Sequence, residues 1–442
     1  MWCAAWLLIW VQTFPPPMLL AVAAETAPPA LQSAPPVTVN RTVPAVAPPS
    51  SVLSFSASPT ANEITRAQVF AEPLIASGEV TAAENVALAT ALTSYAGRTE
   101  RMDVSALTGF LTTHPQSPWR ASLWLSLGHL YYHGGWFSKA LDAWEEAWQQ
   151  SKQETSPSMR AVADQAAGQL TRMNARLGRA ERLEPLFAEL QGRTITGSAT
   201  ELLTGAREGL WLMRHKPEDA FRCGPMALGR ILAAQHPPAA LFENIHTSRS
   251  TPSGMSMSAV KELADTLGLS LQMAVKEPAA PMLLPAVVHW RVGHYAAIIK
   301  EQGGRYLIED PTFHDDLWIS RAALDAEASG YYLVPAGPLP TGWLPVSVQD
   351  GGNVWGKGNT AGNDKDRDTP CDDKAKQGGC GAGMAQYNMH TMLVSLNITD
   401  TPLFYDTPHG GGIAFTVTYN QREANQPGMF STSNFGQKWS CN

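Results

Sequence analysis

The hydrophobic period of this chain changes along its length, and that change limits what it can fold into. From about Glu63 to Gly205, Ala, Leu and Glu dominate and Pro falls mainly at breaks, the signature of packed helices. Beyond residue 206 the pattern becomes mixed. Helix-prone sequence leads to Cys223-Gly224-Pro225, after which Met226, Leu228, Ile231 and Leu232 keep helical spacing. Further on, Leu284–Trp290 and Gly293–Ile299 read as two buried strands joined by a tight turn. Gly303-Gly304 then marks a hairpin, followed by a strand that ends at Asp310-Pro311. The expected fold class is therefore multidomain, with an all-α region followed by an α+β domain and a short β-rich C-terminal segment.

Within the helical region the stretch Leu123–Gln150 is the most informative. Large residues Trp124, Leu127, Tyr131, Phe137 and Trp144 alternate with small ones at Gly128, Gly135, Ala140 and Ala147. Small residues let two antiparallel helices approach, and large ones fill the space between them. The spacing resembles the tetratricopeptide repeat, with a weaker copy at Gly178, Leu183, Phe187 and Leu190. Residues 63–205 are thus expected to form a short helical repeat whose concave face binds a peptide or protein partner. A scaffold that only packs on its neighbour is the alternative.

The chemistry is expected in residues 206–338. Cys223 opens a helix, where outward-pointing backbone N–H groups and the helix dipole favour a thiolate over a thiol. His294 opens a strand, and Asp310 closes the next. In such a set the Cys attacks, the His moves the proton and the acid fixes the imidazole. The motifs Cys223-Gly224-Pro225, Leu284–Trp290, Gly293-His294-Tyr295, Asp310-Pro311 and the closing Gly330–Val334 resemble the bacteriocin-processing, double-glycine cysteine peptidase family. The resemblance implies a papain-like α+β domain that cleaves peptide bonds after Gly-Gly without a cofactor. It makes Cys223 the nucleophile, His294 the general base and Asp310 the orienting acid. The chain departs from the family at Pro217, where a Gln oxyanion donor is usual. The Cys223 N–H still offers one donor, and His215 is a candidate for a second. Two other readings therefore stay open: a catalytically weak peptidase-like binding module, and a secretion or interaction scaffold. His289 reads as structural, and His314, Asp315 and Asp316 match no metal-site spacing.

The flanks complete the expected organisation. Residues 1–24 are apolar and uncharged, end in Ala-Val-Ala-Ala and read as a signal peptide, which places the protein outside the cytoplasm in a periplasmic, cell-surface or extracellular setting. Residues 25–62 are rich in Pro and read as a linker. Residues 339–383, rich in Gly and Asp, read as a second linker. In it Asp364, Asp366 and Asp368 alternate without the glycine and glutamate a calcium loop needs. Cys371 and Cys380 could pair in an exported protein, with free thiols as the alternative. Gly378-Gly379 reads as a glycine turn rather than a cleavage site. Residues 384–442 resemble the start of an Rhs/YD-repeat protein, apparently truncated, with Ala414–Asn420 a clear strand. The net charge of −7 shows no basic footprint for nucleic acid.

Overall fold

The computed structural model describes residues 53–67, 69–195, 198–235, 240–310, 312–313, 315–359, 386–390, 395–406, 412–420 and 439–441. The first half is helical: α1 (Ala61–Thr65), α2 (Ala82–Ala96), α3 (Ser105–Thr113), α4 (Arg120–His133), α5 (Phe137–Ser151), α6 (Pro157–Arg176), α7 (Ala180–Glu189) and α8 (Ala199–His215). Local sequence sets several of their starts. Thr81 and Glu84 form a reciprocal capping box at α2, and Ser156 caps α6 with Pro157 as its first residue. Gly128 on α4 leaves room for the Trp144 indole of α5, where a Cβ would collide. This is the close approach expected from the small and large residues of 123–150.

The second half begins with α9 (Pro217–Ala220), α10 (Cys223–Ala233), α11 (Ala240–Thr247), β1 (Met255–Ser256) and α12 (Met257–Thr266). Strands β2 (Leu271–Lys276), β3 (Ala286–Trp290), β4 (His294–Gln302), β5 (Arg305–Asp310) and β6 (Asp315–Ser320) follow. After α13 (Arg321–Glu327) come β7 (Ala328–Pro335) and β8 (Trp343–Pro345). The sheet is antiparallel, in the order β6-β5-β4-β3-β7-β2-β8. Both of its faces are covered, so β3 and the first half of β4 are buried without alternation. Val287, Tyr295, Ala297 and Leu333 join the core with α10 and α12. Ala286, Val288, Trp290, Ala296 and Ile298 join the core with the helical half.

The helical half and the sheet therefore share one core. Phe137 of α5 is fully buried, with its ring 5.3 Å from Trp290 and 4.9 Å from Phe313. The buried Glu327 carboxylate accepts hydrogen bonds from the Ser138 N–H at 3.0 Å and the Ser138 hydroxyl at 2.7 Å. Arg179 donates to the Val292 carbonyl at 3.0 Å.

Two linker assignments change. Residues 53–62 are not a spacer: Leu53 and Phe55 pack on the core of α2 and α3, and Ser56 is held by Glu63. Proline richness upstream masks this short anchoring stretch. Residues 339–359 are not a linker either. They supply β8, α14 (Val348–Gly351) and β9 (Trp355–Gly356), with β8 paired to β2 and β9 to β1. Their glycines serve close backbone approaches rather than flexibility. Further along, β10 (Gln386–His390), β11 (Ser395–Asp406), β12 (Gly412–Asn420) and β13 (Trp439–Cys441) form an antiparallel sheet in chain order. The strand expected at 414–420 lies within β12.

Truncating Phe137 tests the shared core. Phe137→Ala should cost about 3–5 kcal/mol, the usual range for a buried Phe. Urea unfolding followed by far-UV dichroism and by tryptophan fluorescence should show one transition moved to lower urea. Two separate transitions, with only the helical one moved, would show that the halves fold independently.

Candidate active site

Cys223 is the first residue of α10, following Arg222 in a non-helical conformation. Gly224 is required next to it, because a Cβ there would sit 2.5 Å from Val260 Cγ2 on α12. Pro225 lies in the first turn, where its missing N–H leaves no intrahelical bond unmade. His294 begins β4, directly after a turn in which Gly293 has φ +79°. The pairing Ala297↔Glu309, extended by one residue, places Asp310 beside Ala296 and one step from His294 on the same sheet face.

The three sequence-derived site residues come together. His294 Nε2–H donates to Asp310 Oδ2 at 2.7 Å, and both side chains are buried. Asp310 Oδ1 accepts from the Thr312 N–H at 2.9 Å and, more weakly, from the Phe313 N–H at 3.4 Å. The Phe313 ring packs against the imidazole, with centroids 5.0 Å apart. Burial alone would push the His294 imidazole down. The Asp310 charge, its hydrogen bond and the neighbouring Cys223 outweigh burial and raise it to about 10. The other ring nitrogen, Nδ1, is buried beside Cys223, the side chain that helps raise the imidazole.

The side chains that sequence reasoning placed at the margins have other roles. His215 is exposed, stacks on Trp211 at 4.5 Å and bonds the Trp211 carbonyl through Nδ1. It is engaged on its own helix and is not a substitute oxyanion donor. Pro217 is the first residue of α9, and its carbonyl accepts the Ser250 hydroxyl at 2.9 Å. His289 is structural, as expected, but it also touches the site's surroundings. Its Nε2–H donates to the Trp355 carbonyl at 2.9 Å, and Nδ1 accepts from the Ser329 hydroxyl at 2.8 Å. Burial lowers it to about 4, so it is neutral across the physiological range. Asp315 and Asp316 lie on β6, while His314, Asp364, Asp366, Asp368, Cys371, Gly378, Gly379 and Cys380 fall outside the described residues. Residues 1–24 do too.

Sequence reasoning missed the segment Val354–Asn359, which crosses the site. The Val354 carbonyl accepts from the Met257 N–H at 2.8 Å and the Tyr295 hydroxyl at 2.7 Å. Trp355 and Gly356 pair with Ser256 and Met255. The Lys357 N–H donates to the Gly293 carbonyl at 2.9 Å, and the Gly358 N–H donates to Cys223 Sγ at 3.2 Å. Asn359 donates its N–H to the Arg176 carbonyl at 2.7 Å and bridges Phe221. Cys223, His294 and Asp310 are consequently 1%, 0% and 1% exposed. The available signal was the alternation Gly356-Lys357-Gly358. A Cβ on Gly356 would strike the Tyr295 ring, and one on Gly358 would strike His294 Nδ1. Gly178, at φ +68° in the turn after α6, leaves room for the Lys357 carbonyl.

Comparison with known proteins matches one part of the chain. Residues 216–338 match the model of the Peptidase C39 family. Among solved structures, a double glycine motif protease from an AMS/PCAT transporter, crystallised with its leader peptide, aligns at 19% identity and a TM-score of 0.22. That alignment covers 29% of this chain and 86% of the other. No curated protein matches.

Two outcomes follow from the site's geometry. The raised His294 stabilises the fold fully below about pH 6.5, and this contribution is lost as pH rises through about 10. Urea midpoints of the wild type should therefore fall towards Asp310→Asn values between those limits. Parallel curves would refute the pairing. Gly178→Ala places a methyl against the Lys357 carbonyl and strains a positive φ. It should raise the rate of Cys223 alkylation by iodoacetamide at least several-fold, read by peptide mass spectrometry.

Proposed function

We propose that the domain matched at 216–338 is a cysteine peptidase in which Cys223 attacks the peptide carbonyl, His294 handles the proton and Asp310 orients His294. The observation that carries this reading is the buried 2.7 Å His294–Asp310 hydrogen bond, with Cys223 beside the same imidazole. A thiolate at a helix start is the attacking species such a pair serves. The chemistry is acyl transfer to Cys223 and then to water, and it calls for no cofactor or metal. The class of substrate is a peptide or protein, with cleavage after Gly-Gly as the starting choice. The readings of residues 1–24 as an export signal, of 63–205 as tetratricopeptide-like repeats that take a protein partner, and of 384–442 as Rhs-like belong to the same proposal.

A second reading is favoured by Pro217 and by the filled cleft. Pro217 offers neither a side-chain donor nor an N–H, and loss of one oxyanion donor costs on the order of 10²–10³ in rate. In that reading the domain holds a glycine-rich segment without cutting it.

Hydrolysis of a peptide ending in Gly-Gly-aminomethylcoumarin by the full chain separates the two. Wild type should turn over, Cys223→Ala should show none, and His294→Ala should lose about 10³-fold or more. Equal turnover in wild type and Cys223→Ala would refute the peptidase, and absence of turnover together with tight binding of the peptide would establish the binding module.

A further inference from the structure

We infer that the substrate held at this site is the chain itself, and that Cys223 cleaves the Lys357–Gly358 bond in cis. This rests on the peptidase reading above and names its substrate. Four observations carry it. The segment enters as one half of a two-residue antiparallel ladder, with Trp355 and Gly356 paired to Ser256 and Met255. Main-chain pairing of this kind holds an extended peptide through bonds that any sequence can make. Next, the Lys357 N–H is fixed by the Gly293 carbonyl, the residue immediately before His294. The Gly358 N–H then donates to Cys223 Sγ at 3.2 Å, which leaves the Lys357 carbonyl carbon one bond, about 1.33 Å, further from the sulfur, so that attack needs the sulfur to move from the N–H edge onto the face of the same peptide bond. Finally, Gly358 passes His294 Nδ1 so closely that no side chain fits there, and a Cβ would also stand 2.6 Å from Cys223 Cβ. Cys223 and His294 Nδ1 thus meet at one peptide bond, clamped by backbone hydrogen bonds on both sides.

A segment that merely covered the site would need only bulk. This one is stripped of side chains at Gly356 and Gly358, the two positions that pass the sulfur and the imidazole, and keeps them at Trp355, Lys357 and Asn359. The surrounding backbone also makes room for it, at Gly254 facing the Gly356 carbonyl and at Gly178 facing the Lys357 carbonyl. The step balances. The Cys223 thiolate bonds to the Lys357 carbonyl carbon, and the Lys357–Gly358 C–N bond breaks. The His294 imidazolium gives its Nδ1 proton to the Gly358 nitrogen, which leaves as an amine. Water then adds to the Lys357 thioester and gives a proton to His294. The C–S bond breaks, yielding a Lys357 carboxylic acid, which passes its proton to the released Gly358 amine or to solvent, and regenerating the Cys223 thiolate beside the His294 imidazolium. The product is a chain ending at Lys357 and a released piece beginning at Gly358.

Full-length wild type, Cys223→Ala and Gly358→Val proteins, purified and incubated at several concentrations, test this by intact mass and N-terminal sequencing. Wild type should yield a new N-terminus at Gly358 with a rate independent of concentration. Cys223→Ala should stay intact, and Gly358→Val should be slower by about 100-fold, the scale of an ångström-level misplacement. Tagged Cys223→Ala mixed with wild type should also stay intact. Its cleavage, or a new N-terminus elsewhere such as Cys380, would overturn the assignment. Val-Trp-Gly-Lys-aminomethylcoumarin and the Gly-Gly peptide separate the two levels of failure. An intact wild type that hydrolyses either peptide through Cys223 would overturn self-cleavage and leave the peptidase. An intact wild type that hydrolyses neither would overturn both.

Discussion

The Asp310 carboxylate is the constraint on which the site depends. A charge 1% exposed must be met on every side. Oδ2 is taken by His294 at 2.7 Å, and Oδ1 by the Thr312 and Phe313 N–H groups. Each partner has to be delivered by a different part of the fold: β4 brings His294, and the turn after β5 folds back to bring Thr312 and Phe313. Phe313 then packs on Phe137 of the helical half, and its carbonyl accepts from Arg176 at 3.1 Å. The requirement to neutralise one buried charge is thereby transmitted into the core that joins the helices to the sheet. Leaving such a charge without its partner typically costs about 3–5 kcal/mol, so the arrangement is both a piece of chemistry and a large part of local stability.

The helical half does more than pack behind the sheet. The end of α6 contributes the Arg176 carbonyl, which holds Asn359, and the turn after it contributes Gly178, whose missing side chain admits the Lys357 carbonyl. The cleft beside Cys223 is therefore bounded by α10 and β4 of the matched domain and by a turn outside residues 216–338. A domain of this kind excised at 216–338 would lack the Arg176 turn, β8, β9 and the segment at Cys223. Its accessibility would differ for that reason alone.

How much of this was legible in sequence depends on range. Cys223, His294 and Asp310 were readable because each marks a local boundary: a helix start, a strand start after Gly293, and a strand end before Pro311. Phe137 and Trp144 were readable from helical spacing against Gly128. The role of residues 354–359 was not, because Gly-rich sequence with Asp and Lys has the composition of a loop. What makes it a strand across the site is a set of partners far away in sequence, at Met255, Gly293, Tyr295, Phe221 and Arg176. A glycine required for close approach and a glycine required for flexibility are the same letter. The same ambiguity hid Leu53 and Phe55, whose burial comes from α2 and α3 rather than from any period of their own.

Enclosure also orders the proposed chemistry. With Cys223, His294 and Asp310 all nearly without solvent contact, acyl transfer from a segment already in place needs no water and gains from a dry, fixed environment. Hydrolysis of the resulting thioester does need water, and none can reach the sulfur while Gly358 fills the space beside it. Departure of the Gly358 end is then what admits the second nucleophile. The two half-reactions are separated by a physical event, and reversal by the newly formed amine competes until that event occurs. Among the described residues the outgoing side is held by a backbone bridge from Asn359 to Phe221, an N–H bond to the Arg176 carbonyl and a 3.4 Å contact to the Gly209 carbonyl. The acyl side is held through β1, His289, Tyr295 and Gly293. The acyl-side contacts do not involve Gly358, so they keep the thioester in register when the amine leaves, which is the direction hydrolysis requires.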